Sequence, residues 1–183
     1  LSASERGMVR ADSDLAGAVS GGESLAQRVS LADPDAIPAL YWYATTLGKW
    51  GMMKGYGTIM KHQGDIQKTM TFICDQRPAY YYGGCHRYFG AYWTRVPFGK
   101  SAEKSRRHLE QAIEIAPFFL GNKVLMAESH AVLADESDLY RRLLNEVIEA
   151  SVEPEEHPEV APENRFHQQR ARQLLDRADE AFR

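Results

Sequence analysis

Gly99-Lys100-Ser101 is the triplet most suggestive of chemistry, because it opens a helix as the end of a phosphate-binding loop does. That loop also needs a glycine five residues earlier, where this chain has Thr94, and a strand before it, where Tyr82 to Arg95 has helical patterning. The triplet therefore reads as a turn followed by a helix cap. The six histidines, His62, His86, His108, His130, His157 and His167, show no His-Glu-x-x-His spacing. His86 and His108 can meet across consecutive helices, but two ligands are too few for a metal site, so packing and hydrogen-bonding roles are expected. Cys85 and His86, as helix neighbours, point about 100° apart and cannot easily share one metal.

Nucleophilic catalysis finds no Gly-x-Ser-x-Gly elbow. Glu153, Glu155, Glu156 and Glu159 lie in a proline-rich stretch and read as solvated, whereas an acid/base pair needs fixed burial to separate its pKa values. No enzyme and no cofactor is expected. Cys74 and Cys85 flank the Arg77-Pro78 turn; two buried free thiols are expected, and a disulfide would require alpha carbons within about 7 Å.

Aromatic side chains are the better sign of function. Tyr41, Trp42, Tyr43 and Trp50 fall in one helical segment; Tyr80, Tyr81, Tyr82, Tyr88, Phe89, Tyr92 and Trp93 fall on or before another. Successive members of a run such as Tyr80 to Tyr82 cannot all face one core, so some must line a surface or groove. Trp42, Trp50, Tyr81, Tyr88 and Tyr92 are expected to line a cleft that is apolar inside and wet at its mouth. Within that segment Tyr88 and Tyr92 are expected on the cleft side, with Phe89 and Trp93 packed beside Gly90. A small hydrophobic or amphipathic ligand suits such a lining.

These residues must be held by helices. No segment alternates as a strand does, and an all-α array of antiparallel hairpins is expected, with a partial N-terminal region over 1–32 and a helical-repeat domain over 33–183. Asp33-Pro34 signals a helix start, and the patterning predicts helices over 39–52, 59–75 and 82–95, with an irregular stretch around Gly51, Gly55 and Gly57. Before these, a short or broken helix is expected around Leu15 to Leu31. Ser101 is expected to cap a helix with the stripe Ala102, Ser105, Leu109, Ala112, Ile113 and Ala116, ended by Pro117. Those intervals match the second helix of a tetratricopeptide unit. A further helix is expected from Gly121 to Ala134, a sixth capped by Asp135, and a last one from Glu163 to Phe182 burying Phe166, Ala171, Leu174, Leu175, Ala178 and Phe182. With 183 residues and 44% hydrophobic content the chain can bury a core, and at a formal net charge of -3 no general electrostatic attraction to nucleic acid or to an anionic membrane is expected.

Four segments together resemble the T component of tripartite (TRAP-type) transporters, often called TatT: Ala39 to Ala44, Tyr82 to Tyr92, Ala102 to Ala112, and the tail Asn164 to Phe182. The resemblance implies a periplasmic helical-repeat protein, often lipid-anchored as a lipoprotein, that forms a homotrimer and associates with a solute-binding protein serving a membrane transporter. The alternative is a general repeat scaffold that grips a peptide or partner domain. The tail favours the transport reading, since a bare repeat consensus would not explain it.

Overall fold

The computed structural model describes Gly17 and residues 24–182, and these fall into two compact units divided at Tyr80/Tyr81. Every regular element among the described residues is helical. The part of the expected Leu15 to Leu31 helix before Ser24, Gly17 aside, lies outside the described residues.

In the first unit, Ser24 caps α1 (Leu25–Arg28) through a reciprocal capping box with Gln27, and a 3-10 turn, Val29–Leu31, follows. The Asp33 side chain accepts from Asp35 N at 2.8 Å and opens a second 3-10 turn, Pro34–Ala36, which leads into α2 (Ile37–Lys54). The expected irregular stretch shrinks to one residue. Gly55, at φ 105°, breaks the chain between α2 and α3 (Tyr56–Gln76), while Gly51 and Gly57 are helical. Gly51 has a packing reason to be small: a Cβ there would lie 3.2 Å from Ile59 Cα, so the hairpin closes tightly at its tip. Ile37, Leu40, Tyr41 and Ala44 of α2 and Ile66, Met70 and Ile73 of α3 are buried. Asp65 of α3 accepts from Ser24 Oγ and from Ala26 N at 2.8 Å, tying α1 to the hairpin.

In the second unit, α4 (Gly84–Arg95) and α5 (Ala102–Ile115) pack as a pair. Ser101 Oγ accepts from Lys104 N at 3.2 Å, and the preceding segment is the helix α4, so Gly99-Lys100-Ser101 is a turn and a cap. The helix expected from Gly121 to Ala134 is not uniform. It begins as α6 (Gly121–Leu125) and widens into a π-helix over Met126–Ala131 whose residues are largely buried, a change of winding that apolar periodicity does not encode. Asp135 is not a cap: it adopts φ 57°, and α7 (Ser137–Glu149) starts after it. The tail is also interrupted, with α8 (Ala161–Asp176) separated from α9 (Ala178–Ala181) at Arg177.

The core of this unit gathers Leu109, Leu120, Val124, Met126, Leu143, Leu144, Val147 and Ala171, with Leu174, Leu175 and Phe182 against it. Phe166, expected in the buried stripe, is exposed. The inward face of α8 is set by Asn164 and Ala171, and Phe166, two residues beyond Asn164, lies about 200° around the helix from it. The cysteine expectation is overturned as well. Neither thiol is free; both cysteines are disulfide-bonded. Spacing along the chain leaves that choice open because only three-dimensional approach decides it.

Candidate functional site

The turn before α4 holds three consecutive residues in the left-handed region: Tyr81 at φ 47°, Tyr82 at φ 59° and Gly83 at φ 79°. Glycine adopts this conformation freely, but each tyrosine costs on the order of 1 kcal/mol or more, so the surroundings must hold them. Arg87, one turn into α4, supplies that hold. Its guanidinium donates to Tyr81 O at 2.7 Å, Tyr82 O at 2.7 Å and Asn122 Oδ1 at 3.0 Å. Asn122, fully buried, donates in turn to Tyr82 O at 3.2 Å and Ala112 O at 2.6 Å. The unusual backbone is thereby anchored to both α5 and α6.

An aromatic wall grows from this turn. The Tyr82 ring stacks on Phe119 at 4.7 Å with planes 16° apart, and the Arg87 guanidinium lies 4.8 Å from the Phe119 centroid. Phe118 meets Tyr82 edge-on and stacks on His157 at 3.6 Å. Buried Asn164 fixes the segment carrying both phenylalanines: its Oδ1 accepts from Leu120 N at 3.0 Å, and its Nδ2 donates to Phe118 O at 2.9 Å. The Tyr81 hydroxyl donates to Glu163 Oε1. His167 faces Phe119 edge-on, and Gly121 is small because a Cβ there would come within 2.7 Å of Phe119 Cε1 and closer still to His167 Nε2. Burial lowers the His167 pKa and raises that of Tyr82, so both rings are uncharged at neutral pH. Because Arg87 spends its donors on backbone and Asn122, it is a positioning residue for the turn rather than a receptor for an anionic ligand.

Along α4 the aromatics divide between two faces. Phe89 stacks over His108 of α5 at 5.1 Å, and Lys104 Nζ sits 4.0 Å from the Trp93 centroid, so Phe89 and Trp93 face α5. His86 and His108 approach Nδ1 to Nδ1 at 3.1 Å on this same face. Tyr88 and Tyr92 stack on each other at 6.0 Å around the helix from it, as the spacing requires. Burial, and then the neighbouring Tyr92, push the Tyr88 hydroxyl well above the usual tyrosine range. All four rings are half-buried.

Of the five residues expected to line a cleft, Tyr81, Tyr88 and Tyr92 thus belong to the second unit. Trp42 and Trp50 belong to the first, both exposed. Trp42 packs edge-on to Tyr41, itself edge-on to Tyr80, and Trp50 packs edge-on to His62 at 5.9 Å. Nothing in the sequence marks Arg87, Phe119, Asn122, Glu163 and His167 as members of the site. Their roles depend on left-handed backbone at two tyrosines, for which no residue-type signal exists.

The arrangement offers π faces, phenolic hydroxyls and the carboxylates of Glu159 and Glu163, which suits binding of a flat or amphipathic molecule. A family model described as TRAP transporter T-component matches residues 3–182. No curated protein matches the chain.

Proposed function

From the premise that the chain belongs to the TRAP transporter T-component family, an accessory component of a TRAP transport system, we propose that it docks a periplasmic solute-binding protein and passes a small amphipathic ligand along its aromatic faces, without enzymatic chemistry. The observation that carries this reading is the family match over nearly the whole chain. The disulfide supports a periplasmic location, since such bonds persist in oxidising compartments and are rare in the cytosol. Among the described residues no helix is long and apolar enough to cross a membrane.

Tyr81, Tyr88 and Tyr92, with Trp42 and Trp50, are the ligand-facing residues in this proposal. A homotrimer and a lipid-anchored precursor are carried by the family resemblance alone. Purified chain mixed with the solute-binding protein of the same organism's TRAP system is expected to co-elute with it on gel filtration, and light scattering of the chain alone is expected to give the mass of three copies. Separate elution at concentrations well above the micromolar range would refute docking. A monomer mass would refute the trimer and leave docking standing.

A further inference from the structure

The tip of the α2–α3 hairpin carries large apolar side chains that its own unit leaves uncovered. Trp50, Met52 and Met53 near the end of α2 are 44%, 58% and 86% exposed, and Met60 near the start of α3 is 42% exposed. Scattered single exposed apolar residues need no explanation, but four within eleven positions on one helical turn-back do. The close approach of Gly51 to Ile59 holds the two helix ends together, so these side chains, though they point in different directions around their helices, are all carried on one hairpin tip.

Charge on the part of the hairpin that includes the tip is opposite in sign to that of the rest of the chain. Residues 48–68 contain Lys49, Lys54, Lys61 and Lys68 against the single acid Asp65, a net charge of +3 in a chain whose total is -3, which leaves -6 elsewhere. All four lysines are exposed, whereas Asp65 is turned back to Ser24 and Ala26. Among the described residues 48–68, Trp50 and the methionines are therefore accompanied by exposed lysines and by no exposed acid.

We propose that this tip seats on an anionic phospholipid surface. Tryptophan is favoured at the boundary between headgroups and acyl chains, and lysine can lay its four-carbon stem along apolar surface while its ammonium stays with the phosphates. Unbranched methionines adapt to a fluid, shapeless partner without a fixed complementary pocket. Each lysine near such a surface contributes about 1 kcal/mol, and burial of the methionine and tryptophan side chains adds to it. An acidic protein would satisfy the lysines equally but would need shaped pockets for four apolar groups, and the exposed methionines offer no fixed shape to match. This inference does not rest on the proposed docking of a solute-binding protein.

Vesicle flotation of the full chain tests it, using phosphatidylcholine vesicles with and without phosphatidylglycerol. The chain is expected to float with the phosphatidylglycerol vesicles, to remain in solution with phosphatidylcholine alone, and to be released by high salt. The double substitution Met53→Ser with Lys54→Glu is expected to weaken binding at least about tenfold. Both positions are exposed, and the helical circular dichroism should be unchanged. Absence of flotation, or flotation that the double variant retains in full, overturns the proposal. So does a patch that instead mediates self-association, seen as an oligomer in the parent chain that the same variant dissolves without any vesicle binding in either.

Discussion

Replacing Gly90 by leucine is expected to destabilise the second unit by about 1 to 3 kcal/mol, read as a lower midpoint for loss of helical signal in urea. The reason is geometric. A Cβ on Gly90 would lie 2.6 Å from Leu109 Cδ2 and closer still to Cγ, and Leu109 is fully buried in the core, so the obstacle is the branch of a fixed side chain rather than a movable end. Sliding α4 away offers no easy relief. Ser105 Oγ donates to Gly90 O at 2.9 Å within the same buried crossing, and Gly83 abuts Ala112 Cα so closely that a Cβ would stand 3.0 Å away. Gly64 provides the contrast. It lies within α3 with nothing inside 4 Å of its notional Cβ, and Gly64→Ala is expected to raise stability by about 0.4 to 1 kcal/mol by restricting the unfolded chain. Gly90→Leu with an unchanged midpoint would mean that the α4–α5 crossing is not packed as described.

Mild acid is expected to weaken the same unit through its histidines. Burial lowers the pKa of His86, and burial, His86 and Arg107 together bring that of His108 down to about 4 from the ordinary 6.5. His130 is lowered by burial and Arg106, against an opposing pull from Glu136, and His167 is lowered chiefly by burial, against one from Glu163. Between the folded and unfolded pKa values the unfolded chain binds more protons, so stability rises with pH there. The contribution is complete above about pH 6.5 and is lost as pH falls through 6.5 toward 4. A pKa difference between the two states is worth about 1.4 kcal/mol for each pH interval of one, and the partial contact of the His108 ring with water reduces it. For His108 alone the loss between about pH 7 and pH 4.5 is then on the order of 2 kcal/mol. Urea unfolding at the two pH values measures it. His108→Gln keeps a polar group against His86 but cannot take up a proton, so the variant should lose less stability on acidification than the parent chain; equal losses would show that the His86–His108 contact does not govern acid sensitivity. Carboxylate titration below about pH 5 affects both chains alike and cancels in the comparison.

What can be read along the chain is whatever depends on near neighbours. The helices around Leu40, Met70, Tyr88, Leu109 and Leu144 announce themselves because apolar residues at three- and four-residue intervals have only one way to share a buried face. Ser101 as a cap and Gly90 as the close point of the α4–α5 crossing follow from the same local logic, one through side-chain hydrogen bonding and the other through a missing side chain between bulky ones. The pairing of His86 with His108 is legible in the same way, as a reach between consecutive helices.

Contacts between residues distant in sequence are decided only by the folded chain. Tyr81 and Tyr82 take a backbone conformation that tyrosine disfavours, and it is stable only because Arg87 and Asn122, the latter some 40 residues on, collect their carbonyls. Asn164 reads in the sequence as one polar residue of an amphipathic tail, yet it is fully buried because Leu120 N and Phe118 O require partners there. The state of Cys74 and Cys85, the π-helix over Met126–Ala131 and the outward turn of Phe166 share that origin. Periodicity fixes which residues can lie together on one helix. It carries no information about which distant backbone groups a given turn must satisfy, and the candidate site is built from those groups.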